Sequence, residues 1–124
     1  MLRLLIVDDE VDICDFVKSF FKDRNFEVFT ANNGKQAVDM VKSEKPEIVL
    51  MDIRMPVMDG MEALKEIRKL DGAIKVIMIT AIEDEKKAEE AKHHGAIEYI
   101  TKPLLLEQLE RTVFTIAEQI KMNS

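Results

Sequence analysis

A short apolar run followed by a stretch with apolar residues at three- and four-residue spacing occurs five times along this chain. That alternation restricts the fold more than any other feature. A strand apolar at every position must be covered on both faces, and successive parallel strands need a helical crossover between them. The runs Leu4 to Val7, Glu27 to Thr30, Ile48 to Met51, Val76 to Ile79 and Ile97 to Ile100 are short and partly β-branched, as strands are. The first, third and fourth are apolar throughout, which places them inside a parallel sheet.

Between the runs lie helical patterns. Ile13, Phe16, Val17, Phe20 and Phe21 form one apolar stripe over residues 10 to 23. Ala37, Val38 and Val41 do the same after the turn at Asn32-Asn33-Gly34, and Ala63, Leu64 and Ile67 after Met58-Asp59-Gly60. A last helix, from about Leu104, carries Leu106, Leu109, Val113, Ile116 and Ile120. The pattern predicts an α/β layered fold around a parallel sheet with right-handed crossovers. Residues 83 to 95 stand out, because their apolar content is little more than Ala88 and Ala91 before a capping Gly95. That segment reads either as an easily displaced helix or as a solvated surface helix.

With 124 residues and no Pro/Ser/Gly-rich linker, residues 1–124 are expected to form one domain. A net charge of −6 repels nucleic-acid backbones and anionic lipid, so neither is an expected partner. No uncharged run is longer than that from Val76 to Ile82, well short of the ~20 apolar residues a membrane span needs. The apolar N-terminal stretch ends at Asp8, too early for a signal-peptide core. Cys14 is the single cysteine and reads as a packing residue in a reducing compartment, so the expected location is the cytoplasm. His93 and His94 read as cationic residues near a helix C-terminus.

In an open parallel sheet, sites form beyond the carboxyl ends of the strands. There the sequence offers Asp8, Asp9 and Glu10 after the first strand, Asp52 after the third, Thr80 and Ala81 after the fourth, and Thr101, Lys102 and Pro103 after the fifth. Crowded carboxylates repel unless a cation joins them, and an all-oxygen set suits magnesium. A flavin or nucleotide binder of this architecture would carry a glycine-rich first loop, whereas Asp-Asp-Glu repels a bare phosphate. Phosphate would therefore arrive with a metal. The carboxylate after the third strand can then attack phosphorus while Lys102 and the metal neutralise the transferring oxygens and Thr80 donates to one of them.

Leu5-Ile6-Val7-Asp8-Asp9-Glu10, Met51-Asp52-Ile53-Arg54-Met55-Pro56-Val57-Met58-Asp59-Gly60, Thr80-Ala81, Gly95-Ala96 and Lys102-Pro103 together resemble the receiver domain of two-component response regulators. The resemblance covers essentially the whole chain. It implies a five-stranded parallel sheet of order 2-1-3-4-5 with five helices, the flavodoxin-like receiver fold, and a phosphorylation-gated interaction switch. By the same resemblance Asp52 is the phosphoacceptor. Asp9 and Asp52 bind Mg2+ directly (with Mn2+ as a substitute), Asp8 acts through water, and the Arg54 backbone carbonyl completes the protein ligands. Lys102 pairs with the phosphoryl group, Thr80 swings toward it, Tyr99 is the aromatic that turns inward with it, and the peptide before Pro103 is cis.

The resemblance further implies a phosphohistidine donor on a sensor histidine kinase or phosphotransfer protein, with small acyl phosphates as substitutes. The chain would act as no enzyme beyond catalysing its own phosphoryl transfer and hydrolysis. Arg54 and Ile82 hold the positions that tune that hydrolysis, and the apolar Ile82 is expected to slow it to minutes or longer. A phosphatase of the haloacid-dehalogenase type would need a second Asp where Arg54 stands. The helix at 83 to 94, the strand at 97 to 100 and the last helix are the face expected to change and to support a phosphorylation-dependent homodimer. The missing Asp before Tyr99 speaks against the salt-bridged dimer of regulators with winged-helix outputs. A stand-alone receiver and the front of a longer regulator with an output domain both fit the sequence.

Overall fold

In a computed structural model that describes residues 1–81 and 85–123, the alternation becomes β1 (Arg3–Val7), α1 (Val11–Lys22), β2 (Glu27–Ala31), α2 (Gly34–Glu44), β3 (Ile48–Met51), α3 (Gly60–Leu70), β4 (Lys75–Thr80), α4 (Glu85–His93), β5 (Ala96–Thr101) and α5 (Leu106–Met122). The strands form one parallel sheet in the order β2-β1-β3-β4-β5. The order agrees with that implied by the receiver motifs. Four strands reach a residue or two beyond the apolar runs, since polar or small ends such as Arg3, Ala31, Lys75, Thr80 and Thr101 still pair with their neighbours. The last helix begins at Leu106 rather than near Leu104, after a cis Lys102–Pro103 peptide and an extended Leu105.

Each strand sends alternate side chains to opposite faces, and this divides the core in two. Leu5, Val7, Val49, Met51, Val76 and Met78 face α2, α3 and α4. Leu4, Ile6, Ile48, Leu50, Ile77 and Ile79 face α1 and α5, where Phe21, Leu109 and Val113 fill the layer. Both layers are continuous beneath β1, β3 and β4, so these strands are almost wholly buried. The edge strand β2 keeps only Ala31 fully buried.

Local caps set where the helices begin. Asn33 and Asp59 accept hydrogen bonds at 2.9 Å from the backbone N–H groups of Gln36 and Glu62, starting α2 and α3 immediately after their turns. Gly95, with φ at +96°, ends the turn after α4, in the left-handed region that suits glycine. These caps fix the lengths of the loops that carry the polar residues.

Candidate functional site

The chain leaves β1 and β3 side by side, with Val7 in register with Met51, so the next residues, Asp8 and Asp52, emerge together. Their backbones are pinned by the last ladder bonds: Asp8 N–H donates to the Ala31 carbonyl at 3.1 Å and Asp52 N–H to the Val7 carbonyl at 3.0 Å. Both side chains are buried, while Asp9 is exposed at the rim. One carboxylate oxygen from each of Asp8, Asp9 and Asp52 lies within 4.8 Å of the others. The carboxylate of Asp8 also accepts the Glu10 N–H at 2.9 Å, which shapes the turn into α1.

Lys102 reaches this cluster from the end of β5. Its backbone N–H donates to the Thr80 carbonyl at 2.7 Å, which holds the β5 terminus against β4. From there Nζ donates to Asp52 Oδ2 at 3.0 Å and to Asp8 Oδ2 at 3.3 Å. Burial alone would lower the Lys102 pKa, but the bond and charge of Asp52, together with those of Asp8, outweigh it and raise the pKa. Burial pushes the Asp8 carboxyl up, only partly offset by the Glu10 N–H and Lys102, and the charge of Asp52 pushes the same way. An ammonium bonded to two of three clustered carboxylates leaves negative charge uncompensated. That excess, with an all-oxygen donor set, is what a hard divalent cation fits.

The remaining expected residues fall around this centre. Thr80 is buried at the end of β4, in register with Thr101. Tyr99 is half-buried and packs against the α2–α3–α4 layer. Arg54 is exposed and lines, with Asp9, Ile53, Met55, Pro56, Asp59 and Lys87, an open cleft of about 540 Å3 beside the acids. Ile82, expected to tune hydrolysis, lies outside the described residues. A cleft of similar volume, about 550 Å3, opens at the amino ends of the strands between Phe26, Phe114 and Lys121. It is remote from the carboxylate cluster and holds no comparable group of reactive side chains.

Cys14 lies just beneath the first loop, buried, with its thiol donating to the Asp8 carbonyl at 3.3 Å. Burial first, then the charge of Asp8, pushes its pKa up to about 11, so it is an inert packing thiol.

Gly60 was legible only as part of a turn, yet it sits directly against Asp52. A Cβ there would lie 2.0 Å from the Asp52 carbonyl oxygen, and Gly60 N–H donates to the Ile53 carbonyl at 2.7 Å. The β3–α3 loop can close on Asp52 only because this position has no side chain. Between them, Val57 takes φ +71° in a tight turn closed by Met58 N–H and the Pro56 carbonyl at 2.8 Å.

The sequence model of the response regulator receiver domain matches residues 4–114. The chain belongs to the response regulator receiver family. It is 42% identical over 111 residues to the regulatory protein AtoC of Escherichia coli, covering 90% of this chain and 24% of AtoC. The chemotaxis protein CheY of Listeria monocytogenes is 43% identical over 116 residues, covering 90% of this chain and 98% of that protein. Among solved structures, the CheX–CheY–BeF3–Mg complex from Borrelia burgdorferi is 33% identical, with a TM-score of 0.88 over 93% of this receiver and 88% of that chain. This receiver thus spans nearly all of a CheY but about a quarter of AtoC and of the transcriptional regulatory protein ZraR. As a response regulator receiver domain it is a signalling module, and among the described residues no helix is long and apolar enough to cross a membrane.

Proposed function

We propose that this receiver takes a phosphoryl group onto Asp52 from a phosphohistidine on a sensor kinase or phosphotransfer protein, and that the modified form presents a changed surface to a downstream protein or output domain. The observation that carries the reading is the 3.0 Å contact between Lys102 Nζ and Asp52 Oδ2 inside a cluster of three carboxylates. In the transfer, an Asp52 oxygen forms a bond to phosphorus as the phosphorus–nitrogen bond of the donor breaks, and the departing imidazole keeps the electron pair. With acetyl phosphate the broken bond is phosphorus–oxygen and acetate departs.

Each residue then has a role that its position supports. Lys102 keeps its proton, held by two carboxylates, and follows the negative charge as it moves onto the phosphoryl oxygens. Thr80, at the end of β4 and joined through its carbonyl to Lys102, turns its hydroxyl to a phosphoryl oxygen. Tyr99, one strand over on the α4 side, moves inward as Thr80 leaves its place. Asp9, Asp52 and the Arg54 carbonyl would hold Mg2+, or Mn2+ in its stead, with Asp8 acting through water. When bound, the metal neutralises charge on the transferring oxygens. Mg2+ in the Borrelia CheY complex supports the choice of ion.

The same residues promote the reverse process, in which water attacks phosphorus and the bond to Asp52 breaks. The receiver thereby resets itself without acting on any other substrate, and Ile82 slows that step. Residues 1–124 act as one domain in the cytoplasm, alone or ahead of an output domain. The face of α4, β5 and α5 changes on phosphorylation and supports a homodimer.

The test is the intact mass after incubation with acetyl phosphate and magnesium, for wild type and Asp52→Asn side by side. The proposal expects a gain of about 80 Da in the wild type alone. A gain in both variants moves the acceptor elsewhere. No gain in folded protein leaves a module that signals by binding.

A further inference from the structure

Gly34, the first residue of α2, lies in a different part of the sequence from the acceptor loop yet touches it directly. Its N–H donates to the Met58 carbonyl at 2.9 Å. A Cβ on Gly34 would stand 2.4 Å from that carbonyl oxygen, 2.9 Å from Met58 Cγ and 3.0 Å from the Asp59 carbonyl oxygen. Two of those atoms are backbone, so a side chain here could be accommodated only by displacing the loop. The turn that carries Gly34 is itself fixed. Gln36 Oε1 accepts the Asn32 N–H at 2.8 Å, and the Gln36 N–H returns a bond to Asn33 Oδ1 at 2.9 Å. Asn32 also extends its amide toward the Asp8 carbonyl at 3.5 Å. One short turn therefore meets both loops that carry the carboxylates, near Asp8 on one side and at Met58 on the other.

We propose that Gly34 is a positioning residue for phosphoryl transfer: its missing side chain and its bond to Met58 set where the loop from Asp52 to Gly60 stands relative to Asp8 and Asp9. Gly60 fixes the far end of that loop against the Asp52 carbonyl, and Gly34 holds the two residues just before Gly60, Met58 and Asp59. Pushing Met58 outward would disturb the loop that runs from the pinned Asp52 through Arg54, and a misplacement of about 1 Å is costly in reactions that depend on alignment. The inference rests on Asp52 being the acceptor, but its first readout does not.

The experiment compares Gly34→Ala with Gly72→Ala, since a Cβ on Gly72 meets nothing within 4 Å. In metal-free protein, the amide 1H–15N resonances of residues 52–60 are expected to shift in Gly34→Ala and to stay in place in Gly72→Ala. With acetyl phosphate and magnesium, the rate of mass gain is expected to fall about tenfold in Gly34→Ala, with a cooperative thermal transition retained. Unmoved loop resonances in the folded variant overturn the proposal, and so does a rate within about twofold of wild type where the wild type reacts. A wild type that gains no mass defeats the acceptor assignment instead and leaves the resonance comparison to decide this one. Should Gly34→Ala fail to fold, Gln36→Ala, on an exposed side chain, loosens the same turn. A rate lowered about two- to threefold, or shifted loop resonances, then supports the proposal, and the absence of both changes refutes it.

Discussion

Helices α3 and α4 lie on the same face of the sheet and are similar in length, but they are held in different ways. α3 buries Met61, Ala63, Leu64 and Ile67 and starts at a glycine packed on the Asp52 carbonyl. α4 buries Ala91 alone. Burying a large aliphatic side chain stabilises by roughly 1.5–3 kcal/mol, so three such residues anchor α3 while α4 gains almost nothing comparable. The contacts that tie α4 to α3 include polar ones. Glu90 pairs with Lys65 of α3 at 3.6 Å, and Arg68 of α3 donates to the Gly95 carbonyl at 2.9 Å just past the helix. One helix is part of the frame that holds Asp52 in place, and the other is an element that a modest local change can shift.

That contrast can be broken most forcefully at Leu64. Leu64→Ala is expected to cost about 2–5 kcal/mol by urea unfolding, because the site is fully buried and flanked by the sheet. A cost below about 1 kcal/mol would mean α3 is no better anchored than α4. Next comes Arg68, whose guanidinium bonds the carbonyls of Asp71, Ile74 and Gly95 at 3.2, 2.5 and 2.9 Å. Arg68→Ala is expected to cost about 1–3 kcal/mol and to speed amide exchange around residues 93–96, at the end of α4, more than in α3. Uniform exchange across both helices would deny Arg68 its role as the tie between them.

A smaller effect is expected at Gly95, where φ is +96° and a Cβ would lie 2.4 Å from Arg68 Nε. Gly95→Ala should cost about 1–2 kcal/mol by the same unfolding assay. Least of all, Glu89→Ala on the exposed side of α4 should change stability by no more than about 0.5 kcal/mol in either direction. A loss near that of Leu64→Ala would show α4 to be packed by contacts beyond Ala91.

The unequal treatment of the two helices was visible in their composition before any coordinates. Residues 83 to 95 carried little beyond Ala88 and Ala91, and the helix that forms there buries only the second. The inner strands were equally plain, because β1, β3 and β4 are buried on both faces and their apolar runs record it. The reactive carboxylates and Lys102 could be read because they sit at strand ends, where adjacency in the sheet follows from topology. Gly34 and Gly60 could not be read in the same way. A glycine in a turn looks alike whether it supplies a positive φ or makes room for another loop's carbonyl, and only the three-dimensional approach of Met58 to Gly34 and of Asp52 to Gly60 separates the two. The start of α5 was placed too early for a related reason. Leu104, Leu105 and Leu106 are all apolar, and periodicity cannot tell that the first two belong to the extended segment after Pro103.

If the proposed function holds, phosphorylation of Asp52 moves α4 and β5 while α3 stays in place. This is tested most directly by hydrogen–deuterium exchange on wild type and Asp52→Asn, each with magnesium, before and during incubation with acetyl phosphate. Altered exchange is expected over Glu85–His93 and Ala96–Thr101 in the wild type alone, with Gly60–Leu70 unchanged. Altered exchange in α3 with α4 unaffected, or the same response in Asp52→Asn, would contradict it.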